Sequence, residues 1–242
     1  MTVTWEELGW ERVAAGVGRC RLPGWDCTAG LVIGAGTALL VDAGSGLAEG
    51  ARLRAQAEKL AGHRVTHLAL THPHFDHVFG AAAFAGAEVF GAVGVQTVLT
   101  GRLGRAGLRA DAVAEGLDPA VADEAVDALV SPRHHVSGEW TLDLGGGRQV
   151  LLANVGPGHT AHDLAVLVPG SPEVVFCGDL VEESGEPQAG PDAVPPHWPA
   201  ALDRLLDLGG EDALYVPGHG AVVDAAFVRA QRDALAARFG VS

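Results

Sequence analysis

The chain places three histidines and one aspartate within six positions, in the stretch Thr71-His72-Pro73-His74-Phe75-Asp76-His77. Imidazole and carboxylate groups bind catalytic divalent metals, and a His-rich set of nitrogen and oxygen donors suits zinc best. The largely apolar residues 67–70 precede the stretch and Pro73 disfavours a regular helix, so we predict a loop that leaves the end of a strand. His72 and His74 can then point the same way, whereas the adjacent Asp76 and His77 diverge and could serve a second metal.

A polar surface loop, or a chance cluster in a chain with 11 histidines, is the alternative explanation of this stretch. Chance seldom places three histidines and one aspartate so tightly beside an apolar strand. We therefore interpret the stretch as a metal site.

The composition indicates a globular protein that avoids anionic partners. Of the 242 residues, 48% are hydrophobic and 19% are charged, which gives ample material for a core. The net charge is -14, and a surface this acidic repels phosphate backbones and anionic lipid headgroups. We expect a small-molecule substrate and neither nucleic acid nor membrane as a partner; the oligomeric state stays open.

The cysteines and the N-terminal sequence favour a cytoplasmic location. The spacing of Cys20, Cys27 and Cys177 matches no zinc-knuckle motif. An odd number of cysteines without a disulfide framework fits a reducing compartment. Residues 1–7 lack the basic start and apolar core of a signal peptide, and no apolar run approaches the ~20 residues that span a bilayer.

The order of predicted elements indicates a layered α/β fold. Strand-length apolar runs dominate residues 31–90 and 140–216, with helices at about 47–60, 196–208 and 224–239. The stretch at about 93–129 reads as a helical insert, within which Arg102, Arg105 and Arg109 share one face. That face could be an anion-binding lip, but we favour an ordinary helix surface. We predict one domain over residues 1–242, built of two similar halves with sheet layered between helices.

Four further segments repeat one pattern, in which an apolar strand is followed by a glycine-containing turn and a metal-type residue. The metal-type residues are Asp42, His159, Asp179 and His219. Ligands at strand ends converge on one edge of a sheet, and glycines let the backbone approach the site closely. Each pair taken alone is weak evidence, but together with the 72–77 stretch they form a strong signal.

The complete set resembles the metallo-β-lactamase superfamily, whose HxHxDH signature matches His72, His74, Asp76 and His77. The family's later positions match His159, Asp179 and His219, so the resemblance spans nearly the whole chain. It implies an αββα sandwich with a dinuclear site at one edge of the sheets. In that site the first metal would be held by His72, His74 and His159, and the second by Asp76, His77 and His219. Asp179 would lie between the two metals, and Asp42 would support the ligands from behind.

The resemblance implies a hydrolase with two divalent ions, zinc first, with iron or manganese as other choices. Such an enzyme would cleave an ester, thioester, lactone or amide bond of a small molecule through a metal-bound hydroxide. Asp76 is the candidate catalytic residue, which would orient the nucleophile and take its proton. The alternative is a mononuclear iron oxidoreductase similar to the persulfide dioxygenases, which use the same scaffold.

The resemblance leaves the subfamily unassigned. Class B1 β-lactamases place a thiolate where this chain has Asp179. Glyoxalase-II-like thioesterases bind glutathione through basic residues in a C-terminal region, where this chain carries Glu182, Glu183 and Glu186. The RNA-processing branch conflicts with the acidic charge.

Overall fold

The apolar runs of the first half form a seven-stranded sheet in the computed structural model, which describes residues 3–241. The strands follow one another in chain order across the sheet. The first four pair antiparallel and the last four, from β4 onward, pair parallel. Their bounds are β1 Glu11–Ala14, β2 Val17–Arg21, β3 Thr28–Ile33, β4 Ala38–Val41, β5 His67–Ala69, β6 Glu88–Ala92 and β7 His134–Val136.

A second sheet of five strands comes from the C-terminal half. Its order is β12-β11-β10-β9-β8, antiparallel except for the parallel pair β11 and β12. The bounds are β8 Glu139–Asp143, β9 Gln149–Asn154, β10 Leu164–Val168, β11 Val174–Glu182 and β12 Leu214–His219.

Helices cover the outer face of each sheet. They are α1 Leu47–Ala61, α2 Phe75–Val78, α3 Val95–Thr100, α4 Arg102–Ala114, α5 Pro119–Asp127, α6 Trp198–Gly209 and α7 Ala225–Phe239. Single 3-10 turns lie at Glu6–Leu8, Ala81–Phe84 and Pro195–His197. Among residues 3–241, no helix combines the length and the apolar character needed to cross a membrane.

Side-chain alternation along the strands sorts the core into three layers. Leu40 faces α1 and α4, whereas its neighbour Leu39 faces the second sheet. On the other sheet Phe176 points into the space between the sheets, and Val175 packs against α6 and α7. The order of layers is therefore helix, sheet, sheet, helix, which confirms the predicted αββα sandwich.

The stretch 93–129 holds α3, α4 and α5. Asp118 caps α5 through Ala120 N and Val121 N, with Pro119 at the first helical position, as expected for a helix start. On α4, Arg109 pairs with Asp123 and Arg105 donates to Val126 O, so both arginines connect α4 with α5. Two of the three arginines of this face therefore make contacts between helices. The division of the chain into domains stays a prediction.

One local expectation was wrong. The stretch 71–77 was predicted to be a loop, but helix α2 begins inside it at Phe75, because Pro73 restrains only itself and the residue before it. Further along the chain His134 lies in β7, stacks on Phe90 at 4.5 Å between ring centroids and contacts Glu88 at 2.7 Å. That strand forms because β6 supplies backbone partners, which the local sequence does not reveal.

Candidate metal centre

Five strands and the turns that follow them bring the predicted site residues to one edge of the two sheets. Asp42 follows β4, residues 71–77 follow β5, and His159 lies in the turn between β9 and β10. Asp179 lies within β11, and His219 ends β12. The structure therefore brings together all of the predicted metal-ligating residues, which are His72, His74, Asp76, His77, His159, Asp179 and His219.

The first group of donor atoms comes from His72, His74, His159 and Asp179. His74 Nδ1 lies 3.0 Å from His159 Nε2. Asp179 Oδ2 lies 3.4 Å from His159 Nε2 and 3.5 Å from His72 Nε2. Ligand atoms about 2.0–2.1 Å from a tetrahedral zinc are about 3.3 Å from one another, so these separations suit four ligands around one ion.

The second group consists of His77, His219 and Asp76, and its two imidazoles contact both oxygens of Asp179. His77 Nε2 lies 3.1 Å from Asp179 Oδ1, and His219 Nε2 lies 3.3 Å from Asp179 Oδ2. Asp76 Oδ2 completes the group, 3.4 Å from His219 Nε2 and 3.6 Å from His77 Nε2. Asp179 thus lies between two sets of imidazole nitrogens.

Three buried side-chain polar atoms in the described structure lack a hydrogen-bond partner, and two of them, His72 Nε2 and Asp179 Oδ1, belong to this cluster. Although His77 Nε2 is close to Asp179 Oδ1, the contact is not a hydrogen bond. Leaving such groups unpaired in a protein interior costs about 1–3 kcal/mol each. Both atoms point into the donor cluster, so a bound cation would satisfy them, and the residues present fit a metal.

Outer contacts fix the orientation of each imidazole ring. His77 Nδ1 lies 2.8 Å from Asp42 Oδ2, and His219 Nδ1 lies 2.7 Å from Trp25 O. If each Nδ1–H donates to its oxygen, Nε2 keeps a lone pair directed at the site. Asp42 therefore contacts the ring of a predicted ligand directly, and its supporting role stays a prediction.

Burial keeps two of the ligands neutral. It lowers the pKa of His72 well below its usual range and the pKa of His159 to about 4. Burial would raise the pKa of Asp179, but His77 and His219 outweigh it and hold that pKa well below its ordinary value. Neutral His72 and His159 beside an ionised Asp179 are in the forms that bind a cation.

Asp42 holds its place through an unusual backbone conformation. Its φ is 61°, in the left-handed region that aspartate tolerates better than most residues. This conformation lets one carboxylate contact three groups, because Oδ1 accepts from Thr71 N at 2.8 Å and Oδ2 accepts from Thr71 Oγ1 at 2.7 Å as well as contacting His77.

Asp42→Asn is expected to weaken binding of the ion at His77 and to lower kcat/KM by about 10–100-fold. The amide NH2 that replaces Oδ2 cannot accept the His77 Nδ1–H, so the ring loses the partner that sets its tautomer. Competition with a chromophoric chelator measures the ion affinity. Wild-type affinity for both ions in the variant would contradict this role.

Gly218 allows the two strands that carry ligands to approach each other. A Cβ placed there would overlap Asp179 Oδ1 and come within 2.8 Å of the Gly178 carbonyl carbon. Gly218→Ala is therefore expected to displace Asp179 and reduce ion uptake, which elemental analysis measures. Gly107→Ala on α4 is the control, since a Cβ there meets nothing within 4 Å. Equal ion content in the two variants would show that the close approach is unimportant.

Sequence reasoning missed two neighbours of the site. Asp192 Oδ2 lies 3.0 Å from His74 Nε2, and its position in the acidic loop after β11 was the only signal. Cys27 Sγ lies 3.6 Å from both ring nitrogens of His77, and burial raises the pKa of this thiol. Trp198 is fully buried and packs beside the His159 ring at 5.2 Å between centroids.

The protein has a layered α/β fold with a buried cluster of imidazole and carboxylate groups at the edge of its sheets. These features are typical of a metal-binding protein. The model of the metallo-beta-lactamase superfamily matches residues 22–219. The chain therefore belongs to the metallo-beta-lactamase superfamily, as its resemblance implied. Membership and the His/Asp cluster together indicate a metal-dependent hydrolase.

Solved structures share the fold at low sequence identity. A metallo-beta-lactamase from Pontibacter korlensis is 21% identical with a TM-score of 0.69, over 93% of this chain and 97% of that chain. The metallo-beta-lactamase FIM-1 from Pseudomonas aeruginosa, in a mono-zinc form, is 19% identical with a TM-score of 0.69, over 95% of each chain. Identities this low support the shared fold and not a shared substrate.

Proposed function

We propose that the protein is a zinc-dependent hydrolase with two metal ions, which cleaves an ester, thioester, lactone or amide bond of a small molecule. The observation that carries this proposal is the position of Asp179. Its Oδ1 faces His77, and its Oδ2 faces His72, His159 and His219. One carboxylate shared by two groups of nitrogen donors is suited to a pair of divalent ions.

The predicted ligand assignment is part of this proposal. His72, His74 and His159 would hold one ion, and Asp76, His77 and His219 the other. When bound, such ions lower the pKa of water toward neutrality and polarise a carbonyl group. The donor set suits zinc best, with iron or manganese as other choices.

Asp76 is our candidate for the catalytic residue. It is 93% buried, yet it lines the cavity into which the cluster opens. Its carboxylate can orient the attacking water and accept its proton as the water adds to the carbonyl carbon. The bond to the leaving group then breaks, and Asp76 returns the proton to that group.

The cavity limits the size of the substrate. Its volume is about 590 Å³, within the range of small-molecule sites. The cavity walls are apolar at Trp25, Phe75 and Ala189 and polar around the metal ligands. We also propose a cytoplasmic location, supported by three free, buried cysteines that suit a reducing compartment.

A substrate panel tests the reaction class. Zinc-loaded protein is assayed against thioester, lactone, ester and amide compounds before and after treatment with a chelator. We expect hydrolysis of at least one bond class, lost on chelation and restored by zinc. Oxygen consumption with one iron per chain, and no hydrolysis, would instead support the persulfide dioxygenase-like alternative.

A further inference from the structure

The cavity over the metal centre is lined by acidic side chains. Among the residues that the structure describes, neither lysine nor arginine lines it. Two divalent ions would offset four of its six carboxylate charges, so the loaded cavity would still attract cations. The six carboxylates belong to Asp76, Asp111, Glu115, Asp179, Glu182 and Asp192.

Asp111 and Glu115 occupy positions that cost the fold stability. They are four residues apart at the C-terminal end of α4, where like charges repel and the helix dipole disfavours anions. Within residues 3–241, neither forms a salt bridge with a basic side chain, and both are exposed. Two unpaired anions placed against local preference at a cavity wall point to a ligand that compensates them.

The basic residues of the same helix turn away from the cavity. Arg105 and Arg109 reach α5 through Val126 O and Asp123, and neither lines the cavity. The helix therefore separates its charges, with cations toward α5 and anions toward the metal centre.

An aromatic pair forms part of the cavity wall. Trp25 and Phe75 meet edge to face, with ring centroids 5.1 Å apart and planes at 87°. Trp25 is half-buried and so keeps ring surface open to the cavity. Indole faces attract ammonium groups, and quaternary ammonium most of all in aromatic sites.

The same cavity reaches the reacting end of the site. Asp179 is 94% buried, and it lines the cavity together with Asp76, His159 and His219. The acidic helix end and the Trp25 wall thus share one space with the metal ligands.

We propose that the substrate carries an ammonium group, which Asp111, Glu115 and the Trp25 ring bind while its cleavable bond lies against Asp76 and Asp179. The position of the cleavable bond rests on the proposed hydrolase function. Binding of the ammonium group does not depend on any reaction.

Binding is tested with choline and its neutral isostere 3,3-dimethylbutan-1-ol, on the zinc-loaded protein, by ligand-observed NMR. We expect choline to bind at least about tenfold more tightly, since the shapes match and only the charge differs. In the Asp111→Asn, Glu115→Gln double variant the preference should fall to about threefold or less. The control is Glu124→Gln with Asp212→Asn, the same change of charge outside the cavity, which should keep the preference. Equal binding of the two probes, no binding of choline, or an unchanged preference in the cavity variant would overturn the proposal.

The butyrate esters of the same two alcohols test the link to hydrolysis. We expect kcat/KM for the choline ester to exceed that of the neutral ester by about 10–10³-fold at low salt, and the ratio to shrink as salt screens the cavity. Equal hydrolysis of both esters would sink the inference and leave the hydrolase standing. Selective choline binding with no hydrolysis of any ester, thioester, lactone or amide would keep the ammonium site and remove the hydrolase.

Discussion

Asp179→Ala is expected to lose one of two bound metal ions and to lower kcat/KM by about 10³-fold or more. Asp179 contacts both groups of nitrogen donors, since its Oδ1 lies 3.1 Å from His77 Nε2 and its Oδ2 lies 3.3–3.5 Å from Nε2 of the other three histidines. Metal ions contribute several kcal/mol of transition-state stabilisation, and each 1.36 kcal/mol is about tenfold in rate. Elemental analysis and steady-state kinetics on the purified variant measure both effects.

Two further variants show whether this result is specific to the site. Asp179→Asn keeps the size of the side chain and one oxygen donor, so it separates loss of the ligand from loss of packing. Asp212→Ala removes an exposed carboxylate far from the cavity and should retain ions and activity. If Asp179→Ala still holds two tightly bound ions, the shared role of this carboxylate is wrong.

Removal of metal is expected to destabilise the folded protein as well as abolish activity. A ligand at a thousand times its dissociation constant stabilises the native state by about 4 kcal/mol. For a chain of this size each kcal/mol shifts Tm by about 2–4 °C, so chelation should lower Tm by about 8–16 °C. The structural reason is the pair of buried atoms, His72 Nε2 and Asp179 Oδ1, that a cation would satisfy.

Thermal unfolding monitored by circular dichroism measures this shift. Zinc added back should restore Tm, and the His72→Ala variant should respond to zinc much less, because it lacks one donor of the first group. If neither the chelator nor added zinc changes Tm, the cluster does not bind a metal that stabilises the fold.

Short-range signals predicted the layered fold and the position of the site. Glycine-containing turns after apolar runs predicted that Asp42, His159, Asp179 and His219 lie at strand ends and so meet at a common edge, although Asp179 lies inside β11. That argument needs only the local sequence and the geometry of a sheet. The metal-binding character of the stretch 71–77 was likewise predicted from the local sequence.

Long-range contacts were beyond such reasoning. Asp192 reaches His74 across 118 positions, and His134 joins the sheet through pairing with β6. The charge of -14 predicts that anionic partners are disfavoured, which stays a prediction, and it did not locate the acidic wall of the cavity. That wall depends on which face α4 turns toward the site, and this orientation follows from the contacts of Arg105 and Arg109 with α5.

The central claim is a two-ion centre held by His72, His74, Asp76, His77, His159, Asp179 and His219. Native mass spectrometry of the metal-free protein during titration with zinc tests it most directly. We predict that the wild type takes up two ions, whereas His74→Ala and His219→Ala each retain one. Saturation of the wild type at a single ion, with the His219→Ala variant unchanged, would contradict the claim.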